Sequence, residues 1–252
     1  MNIEQRLSSL LGDRAPDSIS EATALGTGLA DGYDFYDSPV GKVVVAFNPA
    51  GVSAVTLAEE DYATYFGQRF ARRLIRAQAP KNWAHLIPQR IEAGSPGQLP
   101  VDLRSVTAFQ SQVLLEAAAI PRGEVRPYGW LARQVGKPGA ARAVGSTMAR
   151  NPVPLIIPCH RVVRSDGHIG AYSLGGPHQK WELLTHEGAE PGRLEDLASH
   201  NVRVQGDTST GVYCFPTCHV IRASQSGNVV DFASVEKAVE AGGSPCRMCQ
   251  PS

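Results

Sequence analysis

Between Phe35 and Ala58 the chain reads FYDSPVGKVVVAFNPAGVSAVTLA, short apolar runs cut by Pro and Gly. This alternation predicts a β-meander or hairpin pair that opens the fold. Over residues 60–94 the apolar positions shift to helical spacing, with Tyr62, Tyr65, Phe66, Phe70 and Leu74 among several arginines. One or two helices packed on the sheet are expected there. The stretch EAGSPGQLP at 92–100 reads as a linker, which gives a first domain over 1–95 and a second from about Val101, spanning 100–190. Within it TAFQSQVLLEAAAIP, from Thr107, is an amphipathic helix stopped by Pro121. Two shorter helical patterns follow, broken at Lys137, Pro138 and Gly139, and suggest helix-turn-helix with its second helix at 140–149. That helix is rich in Ala and Gly and carries one long cation, Arg142, near its start. Its backbone can therefore approach a partner closely, although the same composition suits a helix packed inside the protein. After Arg193 the chain turns polar through EDLASHNVRVQGDTSTG, a tether to a small closing unit at 207–252. The expected class is α+β: a small N-terminal sheet domain, a helical domain with helix-turn-helix, and a small C-terminal α/β unit.

Composition supports a folded chain, since 42% of the 252 residues are hydrophobic and 19% charged. No apolar run reaches the roughly 18 residues of a bilayer span. The start, MNIEQRLSSLLGD, lacks a basic flank and apolar core, so a cytoplasmic protein with no membrane contact is expected. Basic and acidic residues balance at 24 each, but residues 121–164 hold eight basic side chains against one acidic, Glu124. That segment is either a phosphate-facing surface or a solvated face whose counter-charges come from elsewhere in the fold.

Five cysteines, an odd number, argue against a purely disulfide-bonded framework. Cys214 and Cys218, then Cys246 and Cys249, form Cys-x3-Cys and Cys-x2-Cys pairs that can converge on one ion. Zinc is the expected cofactor, either structural or reactive; four unrelated thiols are the alternative, and His219 is a competing ligand beside Cys218. The fifth, Cys159, lies in NPVPLIIPCHRVV, where a histidine and arginines beside it can lower a thiol pKa. Adjacent side chains often face apart, so an inert buried cysteine stays open on this evidence.

The run PCHRV at 158–162, with NPVP before it and GAYS and HEG after it, resembles the O6-alkylguanine-DNA alkyltransferase family. The likeness extends from about Phe109 to Ala189 and takes in GEV at 123–125, Tyr128 and ARAVG at 141–145. It implies a single-turnover repair protein whose Cys159 takes the alkyl group from guanine O6 in double-stranded DNA and keeps it as a thioether. By position, His160 is the base acting through a bound water, Glu187 orients that imidazole, and Asn151 braces the turn. Tyr128 would donate a hydrogen bond to the departing guanine. Ser173, Tyr172 and the backbone at Val162 would line the base pocket, while Arg142, on a helix with Ala141 and Gly145, would fill the gap left by a flipped nucleotide. The chain departs from the family's simple form by one extra residue near 174–177 and by Ser146 where glycine is common.

Residues 211–251 are similar to the zinc domain of the bacterial adaptive-response (Ada) protein, here placed after the alkyltransferase region. That likeness implies zinc held by all four cysteines and a second acceptor, Cys214, for methyl groups from DNA phosphotriesters. Phe215 and His219 stand where the family has basic residues, which leaves Arg222 and Arg247 as the main local cations. A monomer acting on alkylated DNA is expected. A methylation-responsive zinc DNA-binding regulator, a lesion-binding module that transfers nothing and a cysteine hydrolase are the alternatives.

Overall fold

The computed structural model describes residues 17–59 and 61–251. The segment MNIEQRLSSLLGD, on which the expectation of no export signal rests, lies outside them. Helix α1 (Asp17–Thr27) leads into the meander β1 (Ala30–Ser38), β2 (Gly41–Asn48) and β3 (Gly51–Leu57), all antiparallel. Along β2 both faces are apolar and buried, because each is covered. Val43, Val45 and Phe47 join the main core, whereas Ala46 and Ala54 of β3 meet Phe66 of α2 (Tyr62–Phe70).

The stretch at 60–94 differs from the helices expected of it. After α2, strand β4 (Arg73–Arg76) pairs parallel to β1, giving the order β3-β2-β1-β4, and Leu74 lies in this strand rather than on a helix. Four residues with one buried side chain, Ile75, are too few for a periodicity to register. Nor is 92–100 a free linker. Helix α3 (Leu86–Ala93) occupies its start, and at its end Val52 N donates to Pro100 O at 2.9 Å while Asp102 N donates to Val52 O at 2.7 Å.

Helix α4 (Ala108–Ala118) begins at a capping box: Thr107 Oγ1 accepts from Gln110 N at 3.3 Å, and Gln110 Oε1 accepts from Thr107 N at 2.9 Å. Strand β5 (Arg126–Pro127) hands on directly to α5 (Tyr128–Gln134), which is joined by a turn to α6 (Ala141–Ala149). This is the helix-turn-helix read from the sequence. On α6, Val144, Thr147 and Met148 face inward, and Arg142, Ala143 and Ser146 outward. A buried turn at 151–158 then reaches a single 3-10 turn, Cys159–Arg161, and β6 (Val162–Val163), parallel to β5. Helices α7 (Pro177–His186) and α8 (Pro191–Ser199) follow.

The expected tether is instead the end of α8 and a strand, β7 (Val204–Asp207), with all four residues buried. Its polar letters hid it: Gln205 is buried because its amide is satisfied, accepting from Arg193 Nη2 at 3.0 Å and donating to Asp231 at 2.7 Å. Strand β7 lies between β8 (Val212–Cys214) and β9 (Val229–Phe232), and β10 (Ser244–Pro245) completes the order β10-β8-β7-β9. Two short helices, α9 (His219–Arg222) and α10 (Val235–Glu240), accompany this sheet. The architecture is α+β. One buried cluster takes in Val45, Leu114, Ile157, Cys159, Tyr213 and Cys214, so the C-terminal unit shares its core with the central helices. Among the described residues no helix is long and apolar enough to cross a membrane.

Candidate active site and metal centre

The turn at 151–158 is held by one side chain. Asn151 Nδ2 donates to Ile157 O at 2.8 Å and to Cys159 Sγ at 3.2 Å, and Asn151 Oδ1 accepts from Val153 N at 3.0 Å. The turn also contains Leu155, buried and left-handed at φ 70, a conformation that costs a branched residue roughly 1–2 kcal/mol and persists only under tight packing. Cys159 is thereby fixed beside a cavity of about 240 Å³ lined by Tyr128, Gly145, Met148, Tyr172 and Ser173. That volume is below the roughly 300–1,000 Å³ of pockets for drug-sized ligands and is on the scale of a single base. A Cβ added to Gly145 would meet nothing, so this glycine leaves the rim of the cavity open.

The next two residues of the same 3-10 turn, His160 and Arg161, belong to an acid–base group. His160 Nε2 is 2.8 Å from Glu187 Oε1, and Arg161 reaches both oxygens of the same carboxylate at 2.8 and 2.7 Å. Arg161 is also satisfied by Ile120 O at 2.7 Å and Ala93 O at 2.9 Å, the latter at the end of α3. Two glycines make room for this. A Cβ on Gly94 would lie 2.2 Å from the Arg161 guanidinium, and one on Gly123 would lie 2.7 Å from Glu187 O; both residues have positive φ. Gly123 thus explains the GEV of the sequence, and Gly94 turns the supposed linker into a wall of the site.

The ionisation states follow from burial and charge. Burial would raise Glu187, but the hydrogen bonds from His160 and Arg161 and their charges hold it at about 2. Burial pushes the Cys159 thiol up, against the opposing pull of the Asn151 hydrogen bond and the Lys180 charge. Burial also lowers His160, which therefore rests neutral. A neutral imidazole that gives its Nε2 proton to Glu187 keeps a lone pair on Nδ1, and Nδ1 is buried with no hydrogen-bond partner among the described residues. The resting pair is a thiol and a free base. Because Glu187 sits at about 2 in the folded chain against an ordinary 4.5, its contribution to stability is complete above pH 4.5 and is lost as pH falls toward 2. Glu187→Gln is expected to cost about 3 kcal/mol at pH 7, with the gap to the parent protein closing near pH 2 to 3; denaturant unfolding at both pH values checks this.

Sequence reasoning missed Lys180. Its ammonium is buried and donates to Val162 O at 2.6 Å and Ile169 O at 2.7 Å, and burial pulls its pKa down to about 8. A signal existed: Lys180 shares an i, i+3, i+4 stripe with buried Leu183 and Leu184, an unusual place for a cation. It also occupies the Val162 carbonyl, and Val162 itself is buried outside the cavity lining. Arg142 is exposed on α6, and Ala141, half-buried, begins that helix.

Cys214, Cys218, Cys246 and Cys249 are free thiols, all buried, with sulfurs within 4.8 Å of one another. Tetrahedral zinc with bonds of about 2.3 Å sets its sulfurs about 3.8 Å apart, within that spread. Hydrogen bonding between them lowers Cys218 and raises Cys214, as expected of thiols packed around one point. The donor set fits zinc, and these four residues are the zinc site. His219, the rival ligand, is turned onto Glu124 instead, with Nδ1 2.9 Å from Oε1.

Comparison with known proteins agrees with this geometry. The family described as 6-O-methylguanine DNA methyltransferase, DNA binding domain, matches residues 108–189, and the metal binding domain of Ada matches 195–252. The chain is 37% identical to the bifunctional transcriptional activator/DNA repair enzyme Ada of Escherichia coli over 64% of its own length and 47% of that protein. It is 36% identical to the methylated-DNA–protein-cysteine methyltransferase of Mycobacterium leprae over 60% of this chain and 88% of the relative. A crystal structure of Mycobacterium tuberculosis OGT in complex with DNA superposes with a TM-score of 0.51 at 33% identity, covering 66% of this chain and 98% of that one. The chain spans less than half the length of some curated relatives, 47% of Ada and 42% of the rat methyltransferase. The fold is that of the alkyltransferase structures, followed by an Ada-type metal-binding unit. The chain belongs to the methylated-DNA–protein-cysteine methyltransferase family.

Proposed function

We propose that this protein repairs O6-alkylguanine in double-stranded DNA by moving the alkyl group irreversibly onto Cys159. The observation that carries the proposal is the placement of the Cys159 sulfur at a base-sized cavity, in the same 3-10 turn as a His160 imidazole tied to Glu187. The exposed face of α6, small except for Arg142, suits close approach to a duplex; Arg142 takes the place of the rotated nucleotide, whose extrusion costs a few kcal/mol. In the cavity, the Cys159 proton passes through one water to His160 Nδ1, and the imidazolium is stabilised by Glu187. The sulfur attacks the alkyl carbon, the carbon–O6 bond breaks, and the electron pair moves onto guanine. Tyr128, held protonated by burial, donates its hydrogen bond to the leaving base. The product is a thioether, so each chain acts once.

Four thiolates on zinc carry a formal charge of −2, which repels phosphate, and methylating one reduces it to −1. Methyl transfer from phosphotriesters to Cys214 is a second reading, supported by the match of 195–252 to the Ada metal-binding domain. Cys214 has no exposed surface here, so that reaction requires the unit to open. We place the protein in the cytoplasm, as a monomer; five unpaired cysteines suit a reducing compartment.

A duplex with one O6-methylguanine is expected to load one methyl group per chain, located on Cys159 by intact-mass measurement and peptide mapping. A lesion-binding module would show binding without adduct, a hydrolase would turn over, and a regulator would show sequence-specific footprints that strengthen on methylation.

A further inference from the structure

The zinc unit is docked on the catalytic domain through the turn between its ligands and α9. Thr217 Oγ1 accepts from Val125 N at 2.9 Å, and His219 approaches Glu124 Oε1 twice, from its backbone N at 3.0 Å and from Nδ1 at 2.9 Å. Glu124 is buried and paired through its other oxygen with Arg126, also buried. The Arg126 guanidinium lies between two rings, 5.5 Å from Phe215 of the zinc unit and 5.7 Å from Trp130 of α5. Residues 124–126 are the approach to Tyr128: Arg126 pairs with Val162 just after the nucleophile turn, and Pro127 caps the helix that Tyr128 begins.

Taking Cys159 as the methyl acceptor, we propose that Thr217 and His219 are positioning residues for Tyr128, so that the zinc-bound turn sets the rate of transfer at Cys159 without touching the substrate. A buried carboxylate between His219 and Arg126 has one low-energy place, and that place fixes the strand whose next residues are Pro127 and Tyr128. If the turn lets go, Glu124 is left with one partner and Val125, just before β5, loses its hydrogen bond to Thr217. Tyr128 then spends less time aligned with the leaving base, and the cost falls on the chemical step, since the face of α6 that meets DNA is not involved.

The test uses the full chain and a methylated duplex. Thr217→Val, His219→Ala and, on the catalytic side so that the ligand turn is unaltered, Glu124→Gln are compared in single-turnover transfer at saturating DNA, with duplex affinity and hydrogen exchange of the Val125 amide measured in parallel. A lost buried hydrogen bond corresponds to about a two- to tenfold change. Each variant is expected to slow transfer by about that much, with faster Val125 exchange and unchanged affinity, and His219→Asn, which keeps a side-chain donor near Nδ1, restores the rate. In a Tyr128→Phe background the same substitutions are expected to add almost nothing, because what they misplace is already gone. Equal losses in both backgrounds, or parent-like rates in all three variants, would overturn the proposal. An absent adduct in the parent protein would instead overturn the function proposed for Cys159.

Discussion

Cys159→Ala is expected to take up no methyl group from a methylated-guanine duplex while still binding it. The substitution removes one sulfur atom from a packed site, and ordinary substitutions centre near about 1 kcal/mol of destabilisation, so the fold survives. No other thiol can stand in: the remaining four are gathered at the metal centre. Cys159→Ser keeps the shape but presents a hydroxyl that a neutral imidazole activates poorly, and it too should show no adduct. Arg142 and α6 are untouched in both and the cavity changes by one side-chain atom, so duplex affinity should stay close to that of the parent. The measurement is intact mass together with a binding titration. A methyl group found on the Ala variant would remove Cys159 from its role.

Zinc removal has the second large effect. Zinc-finger peptides gain an apparent roughly 10–16 kcal/mol from structural zinc, comparable to the whole stability of many domains at about 5–15 kcal/mol. The unit depending on this ion is small, and Tyr213, Phe215 and Ile221 pack around the four cysteines within the shared core. Chelation is therefore expected to unfold the sheet β10-β8-β7-β9, to make four further thiols reactive, and to lower the melting temperature of the remainder, whose core loses that packing. Thiol titration and circular dichroism before and after chelation check this. A chain that melts unchanged without metal would mean that the cysteines need no ion.

Local pattern carried much of this molecule. Thr107 before an apolar stripe marked α4, the break at residues 137–139 marked the helix-turn-helix, and paired cysteines marked the metal site. Where structure depends on distant partners, pattern failed. Gln205 and Asp207 read as tether because nothing nearby reveals that Asp231 and Arg193 satisfy the Gln205 amide. β4 is a strand only because β1 offers it an edge. Glu124 meeting His219 joins residues 95 apart, and neither letter announces the other. At the site itself the resemblance singled out Cys159, His160 and Glu187, of which the structure joins His160 to Glu187 and Cys159 to Asn151; Gly94 emerged only from three-dimensional packing, and the one sequence cue to Lys180 was its place on an apolar stripe.

Arg161 finds one of its acceptors at Ala93 and its clearance at Gly94, so the proton-handling machinery is not an exchangeable cassette. A recombination joint that supplied residues 101–190 with an unrelated leading domain would leave a guanidinium short of an acceptor and the glutamate beside it free to drift. Inheritance must then carry the opening sheet and the reactive half together, and the metal-bearing unit, whose Tyr213 and Phe215 share the central core, is bound into the same block.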